Sequence, residues 1–115
     1  MSRPMAYITA AWNNEGFTAT QDAERYCRRV YEAGYLPVCP GLLFNSFLNR
    51  EVMQERGDGI VMAQDLLRRS RIVVLCGEKT DEQVKDDINL AKRLHIAATT
   101  LDGIEKVDGR AKKEK

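Results

Sequence analysis

Residues 71–76, Arg-Ile-Val-Val-Leu-Cys, are the most strand-like stretch of the chain and decide its fold class. The run is almost entirely apolar and contains several β-branched residues, which is typical of a strand buried on both faces of a sheet. Residues 58–70 before it and residues 81–94 after it carry apolar side chains at helical spacing. A buried strand between two helices favours a parallel sheet with helical crossovers.

The same alternation of strand and helix continues toward both ends of the chain. Residues 5–11 (MAYITAA) predict a buried strand, residues 35–39 (YLPVC) a second one, and residues 96–101 (IAATTL) a last one. Proline cannot donate a hydrogen bond to a neighbouring strand, so Pro37 places the second strand at an edge of the sheet. Between the first two strands, a capping box of Thr18 and Gln21 predicts a helix that ends at Gly34.

Two boundaries are less regular in the sequence. Residues 42–57 have apolar side chains without a clean period and predict a loop with a short helical turn. A second capping box, Thr80 to Gln83, predicts the start of the helix that runs to Leu94.

The whole order predicts an α/β protein: a small flavodoxin-like or Rossmann-like parallel sheet of four or five strands with helices on both faces. Ligands bind such sheets beyond the carboxyl ends of the strands.

Length and composition limit the domain organisation. The chain has 115 residues, of which 43% are hydrophobic and 30% charged, so it accommodates one globular domain. We expect residues 1–101 to form that domain. Residues 102–115 hold five bases and four acids with few large apolar groups, which predicts a charged, flexible tail.

Several classes of function are not expected from the composition. The net charge is +1 and no basic stripe is present, so binding to nucleic acid is not expected. No apolar run is long enough for a membrane span. The three cysteines (Cys27, Cys39 and Cys76) have neither disulfide nor metal-ligand spacing, which predicts reduced, buried thiols in a cytoplasmic protein without metal or cofactor.

Asp87 is the residue in the helix of residues 81–94 that most needs an explanation. On a wheel of about 100° per residue with Val84 at zero, the buried arc includes Ile88, Ala91 and Leu94, and Asp87 falls inside it at about 300°. A carboxylate on a packed face is costly unless it is paired, hydrogen-bonded or turned toward a cleft. Asp87 therefore either leans toward water or neighbouring donors, or points into a pocket at the strand ends.

Four other residues near the expected strand ends are candidates for ligand contact. Trp12 would stack on a ring or fill a core or interface position, and Gly77 provides a turn after the central strand. Glu78 and Asp81 are either acid–base groups or ordinary solvated loop acids. The chain has neither a G-x-G-x-x-G nor a P-loop pattern, and its single histidine, His95, disfavours hydrolase triads.

At these residues the chain resembles the nucleoside 2-deoxyribosyltransferase-like superfamily, in particular its short bacterial and phage branch. The resemblance spans roughly residues 5–101. It rests on residues 6–11, Tyr26-Cys27, residues 34–37 and 40–44, Asp65-Leu66, Val73-Val74, Gly77-Glu78 and residues 87–92. The superfamily's Glu-x-Gly-x-Ala nucleophile pattern corresponds to residues 87–91 here, with Asp in place of Glu and Asn89 in place of Gly.

The resemblance implies a function at one carboxylate. Asp87 would be a nucleophile that forms a covalent sugar ester, Tyr7 would position it, and Glu78 or Asp81 would protonate the departing base. The expected ligand is a nucleoside or nucleotide, and the expected enzyme is an N-glycosidase or deoxyribosyltransferase that forms a homo-oligomer.

The superfamily's Ser-Gly-Thr segment corresponds to Glu82, Gln83 and Val84, and this departure leaves an alternative open. The alternative is a non-catalytic module of a bacterial, phage or mobile-element system. Such a module would bind a nucleotide-like ligand or a protein partner in order to regulate or inhibit it.

Overall fold

The computed structural model describes residues 3–11 and 16–106. Its elements are β1 (Met5–Thr9), α1 (Gly16–Glu32), β2 (Leu36–Val38), α2 (Pro40–Asn45), α3 (Met53–Arg68), β3 (Ile72–Leu75), α4 (Glu82–Arg93) and β4 (Ala97–Thr100). Residues 101–106 are also helical. None of the described helices is long and apolar enough to cross a membrane.

The four strands form one parallel sheet in the order β2-β1-β3-β4. The predicted α/β class and parallel sheet are therefore confirmed, and the order matches the first four strands of a flavodoxin-like sheet. β2 lies at an edge, as Pro37 predicts. β3 lies in the interior, and both Val73 and Val74 are fully buried because helices cover the two faces of the strand.

Two apolar clusters show which helices cover which face. On one face, Ala6 and Ile8 of β1 pack with Val30 of α1 and with Leu101 and Ile104. On the other face, side chains of β1 and β3 pack with α3 and α4: Tyr7, Val73, Leu67, Leu90 and Ala91. Successive residues of β1 thus point to opposite faces, as the pleat of a strand requires.

Residues 102–106, predicted as part of a charged tail, are helical in the structure. Residues 101–106 are helical, and Ile104 is 2% exposed because it packs in the cluster with Ala6 and Val30. The Arg29 guanidinium of α1 also donates to the carboxylates of Asp102 and Glu105. The prediction of a solvated tail was wrong for residues 102–106, because one apolar side chain every turn is enough to anchor a short helix. Residues 107–115 lie outside the described residues.

The segment between β2 and β3 also differs from its prediction. α2 begins at Pro40 and α3 begins at Met53, five residues before the predicted helix start at Asp58. Gly57 and Gly59 obscure this helix in the sequence because glycine has low helix propensity. A Cβ atom at Gly59 would lie 3.3 Å from Leu48 Cδ1, so a close approach of the α2–α3 connection accounts for a glycine at that position.

Candidate functional site

Tyr7 and Thr9 of β1 and Asp87 of α4 meet near the carboxyl ends of the central strands. Tyr7 and Thr9 are two residues apart on the same strand, so their side chains leave the same face of the sheet. α4 follows β3, which pairs directly with β1, so its buried side faces these two residues. All three side chains are buried.

Among the described residues, three side chains donate hydrogen bonds to the Asp87 carboxylate. Thr9 Oγ1 lies 2.8 Å from Asp87 Oδ2, and the Tyr7 hydroxyl lies 3.4 Å from the same oxygen. Gln83 Nε2 lies 3.0 Å from Asp87 Oδ1. Asp87 itself is 3% exposed, so the predicted position on the buried face of α4 is confirmed.

Burial and hydrogen bonding act in opposite directions on this carboxyl group. Burial raises the pKa of Asp87 above its ordinary value, and the hydrogen bonds from Thr9, Gln83 and Tyr7 oppose that rise. The pKa of the Tyr7 hydroxyl is raised in turn, by its own burial and by the neighbouring Asp87 carboxylate. Tyr7 therefore keeps its proton at neutral pH and acts as a hydrogen-bond donor.

The start of α4 explains why Gln83 and Asp87 meet. Asp81 is the N-cap residue, and its Oδ1 accepts a hydrogen bond from the Val84 amide at 2.9 Å. The predicted capping box with Thr80 as the cap is therefore displaced by one residue. From this start, Gln83 and Asp87 are four residues apart, on the same side of the helix.

A cavity of about 410 Å³ lies in front of this group. Its wall combines β1, α1, α2, the α2–α3 connection and the beginnings of α3 and α4. Apolar side chains such as Phe44, Leu48 and Ile60 form part of the wall, while Asp87 and Gln83 provide polar groups. A mostly apolar cavity with a few convergent polar groups is typical of a small-molecule site.

The structure brings together only some of the residues that the sequence predicts for this site. Tyr7, Asp81 and Asp87 line the cavity. Gly77 and Glu78 are not part of its wall: Gly77 has a φ of +81° and approaches the Tyr26 hydroxyl, and Glu78 is exposed. The expected ligand contacts of Gly77 and Glu78 are therefore not formed by this cavity. Trp12 lies outside the described residues, and its contact with a ligand stays a prediction.

Sequence reasoning missed two of the three donors to Asp87, although both leave a signal. Thr9 shares a strand face with Tyr7, because the two are separated by one residue. Gln83 precedes Asp87 by four residues on a predicted helix. Arg50 and Arg56 also line the cavity, and the irregular pattern of residues 42–57 gave no indication that they would.

The three cysteines are free thiols, as predicted, but only Cys76 is buried. Cys27 and Cys39 are half-buried, and a hydrogen bond between their side chains raises the pKa of Cys27 and lowers that of Cys39. Cys39 also lines the cavity. Within residues 3–11 and 16–106, no group of three or more His, Cys, Asp or Glu side chains is arranged to hold a metal ion.

The chain belongs to the family described as Domain of unknown function (DUF7768), whose model matches residues 4–101. The match covers β1 to β4 and therefore every element that contributes to the cavity. No curated protein matches the chain.

Proposed function

We propose that the protein binds a nucleoside or nucleotide and cleaves or exchanges its N-glycosidic bond, with Asp87 as the nucleophile. The observation that carries this proposal is a buried carboxylate held by three hydrogen-bond donors at the wall of a ligand-sized cavity. The cavity lies where parallel α/β sheets bind ligands. The resemblance to the nucleoside 2-deoxyribosyltransferase-like superfamily selects the same residue independently of the cavity.

The hydrogen bonds favour Oδ1 as the attacking atom. A carboxylate offers about four acceptor positions, two on each oxygen. Among the residues that the structure describes, Oδ2 accepts from both Thr9 and Tyr7, whereas Oδ1 accepts from Gln83 alone. One position on Oδ1 remains to approach the anomeric carbon of a sugar.

The reaction would proceed through a covalent ester. Asp87 Oδ1 bonds to the anomeric carbon, the bond from that carbon to the base nitrogen breaks, and the electron pair leaves with the base. The departing base must gain a proton. Of the two acids expected for this role, only Asp81 lines the cavity, so it is the proposed donor. Water or a second base then displaces Asp87 from the sugar, and Asp81 takes up the proton that this nucleophile releases.

Release of free base from a panel of ribonucleosides, 2′-deoxyribonucleosides and their 5′-monophosphates tests this proposal. We expect Asp87→Asn to lower the rate by at least about 100-fold, because the amide cannot form the ester. Tyr7→Phe should lower it less, because it removes only a hydrogen bond. Asp86→Asn changes the exposed neighbour on the same helix and should retain the wild-type rate.

Mass spectrometry of the protein after rapid acid quenching provides a second readout. Wild type should carry a pentosyl adduct on the peptide that contains Asp87, and Asp87→Asn should carry none. If wild type releases no base from any member of the panel, the enzyme proposal is wrong and a non-catalytic binding module takes its place. Asp87→Asn would then change only ligand affinity or stability.

A further inference from the structure

Arg50 and Arg56 line the same cavity as Asp87 but take no part in the chemistry proposed for it. Arg50 lies in the connection between α2 and α3, and Arg56 lies near the beginning of α3. Arg56 Nε donates a hydrogen bond to the Arg50 main-chain oxygen at 3.0 Å, so the two residues are neighbours. Their side chains are exposed, unlike that of Asp87.

Neither arginine is neutralised by an ion pair within the part of the chain that the structure describes. The six ion pairs found there involve other cations. The nearest acid in sequence that lines the cavity is Glu55, whose Oε1 accepts a hydrogen bond from the Asn49 amide at 3.0 Å. Asp22 of α1 also lines the cavity, and it pairs with Arg25. Two guanidinium groups therefore remain to bind an anion.

An acid at the start of α4 restricts where an anion can lie. Glu82 lines the cavity beside Gln83, and its charge repels a phosphate at that position. α4 follows β3 whereas α2 and α3 follow β2, and β1 separates these two strands. The wall of the cavity is thus acidic at the β3 side, and at the β2 side it carries both arginines together with Glu55.

We propose that the cavity takes a nucleoside that carries a phosphate monoester, with the phosphate bound by Arg50 and Arg56. This inference rests on the proposed function, because it places the sugar at Asp87. Guanidinium groups bind phosphate through paired N–H donors, and such charge-assisted bonds are stronger than neutral ones. The two arginines therefore determine that a nucleotide binds in preference to the corresponding nucleoside.

Isothermal titration of the full chain in an Asp87→Asn background tests the assignment without turnover. The four 2′-deoxynucleosides, their 5′-monophosphates and inorganic phosphate are the probes. We expect at least one monophosphate to bind about 10-fold or more tightly than its nucleoside. Arg50→Gln with Arg56→Gln should weaken the binding of the monophosphate about 10-fold more than that of the nucleoside and so remove that preference. Arg68→Gln with Arg69→Gln, at the far end of α3, is the matched control and should retain it.

The possible outcomes separate this inference from the proposed function. Equal affinity for nucleoside and monophosphate, or a preference that survives the double substitution at Arg50 and Arg56, overturns the phosphate site and leaves the nucleoside site intact. Absence of binding by every nucleoside and monophosphate contradicts both. Higher salt should weaken the binding of the monophosphate more than that of the nucleoside, since only the former relies on the two charges.

Discussion

Asp87 combines a cost of burial with three stabilising hydrogen bonds. An ionised carboxylate removed from water loses hydration, and donors from Thr9, Tyr7 and Gln83 replace part of it. Burial remains the larger influence, since the pKa of Asp87 is raised overall. The folded protein consequently holds a charge that would be better solvated in the unfolded chain.

Asp87→Asn should stabilise the fold more at neutral pH than in acid. Because folding raises the pKa of Asp87, the folded state binds its proton more tightly, and wild-type stability falls as pH rises from about 3.8 through the raised pKa. Asparagine has no charge to bury, and Gln83 can turn its amide to accept from the new NH₂ group. The difference in melting temperature between variant and wild type should therefore grow from pH 4 to pH 7.

Asp86→Asn is the control for this measurement, because Asp86 is exposed on the same helix. Its effect should grow much less with pH, because the Asp86 charge is the last and smallest of the influences on the pKa of Asp87. A difference between Asp87→Asn and wild type that stays constant or shrinks over the same range would mean that folding does not raise the pKa of Asp87.

The pH dependence of catalysis should report the same carboxyl group. A nucleophilic Asp87 must be ionised, so kcat/KM should fall in acid with an apparent pKa above the ordinary aspartate value of 3.8. Thr9→Val removes a hydrogen bond that lowers the pKa of Asp87, and it should move this acid limb to higher pH. An acid limb that is identical in wild type and Thr9→Val would show that another group controls the rate.

Single residues of the site differ in how well the sequence reveals them. Asp87 is recognisable because it is the one acid on the buried arc of its helix, and Tyr7 because it lies in a buried strand. Thr9 can be inferred from Tyr7, because alternate residues of a strand share a face. Gln83 can be inferred from Asp87, because residues four apart share one side of a helix. Arg50 and Arg56 do not follow from any local pattern, because their place in the wall depends on how the α2–α3 connection folds back.

α4 is the element that organises the candidate site, since Asp81, Gln83 and Asp87 are all set by where it begins. The Asp81 side chain satisfies the Val84 amide, which stabilises the first turn of the helix. Unwinding of the first turn would take Gln83 out of the helical geometry that places it beside Asp87. The N-cap thus links the stability of one helix to the geometry of the carboxylate.

Asp81→Ala should lower the free energy of unfolding by about 1 kcal/mol, which is typical for loss of an N-cap side chain. Thr80→Ala is the matched control, because Thr80 is the cap that the sequence predicts and the structure does not use. Urea denaturation of the two variants measures the difference. A larger loss in free energy of unfolding for Thr80→Ala than for Asp81→Ala would identify Thr80 as the N-cap residue.

Elements whose sequence favours a single type of secondary structure were predicted closely. Elements whose residues favour different structures were not. β3 was predicted within one residue at each end, because an apolar run of this kind has no helical alternative of the same length. α3 was predicted to start too late, because Gly57 and Gly59 disfavour helix locally while contact with Leu48 favours a small residue there. Tertiary packing decided that boundary, and a single sequence does not reveal it.

At the scale of the whole molecule, the region of α2, α3 and their connection presents exposed apolar side chains. Those of Leu43, Phe47, Val52, Met53 and Val61 are all exposed. Exposed apolar groups concentrated in one region are typical of a surface that contacts another protein. The same region forms part of the cavity wall, so a neighbouring copy seated there would border the site.

We expect the protein to form a homo-oligomer through this region, and light scattering from micromolar to near-millimolar concentration tests it. Phe47→Ser with Met53→Ser should shift the protein toward monomer. Leu94→Ser, at the end of α4, changes another exposed apolar side chain and should leave the assembly intact. A wild-type protein that is monomeric over the whole range would contradict the prediction.

The helical segment of residues 101–106 is short, yet it completes the core on the α1 face. Ile104 packs with Ala6, Val30 and Val74, and the family match ends three residues before it, at residue 101.

Ile104→Ala should lower the free energy of unfolding by about 2–5 kcal/mol, because it leaves a cavity between the helical residues and the sheet. Glu105→Gln weakens the pair with Arg29, and an exposed pair of this kind contributes about 1 kcal/mol or less. Urea denaturation should therefore show a clearly larger loss in free energy of unfolding for Ile104→Ala than for Glu105→Gln. Equal small losses would show that residues 101–106 pack on the sheet without supporting it.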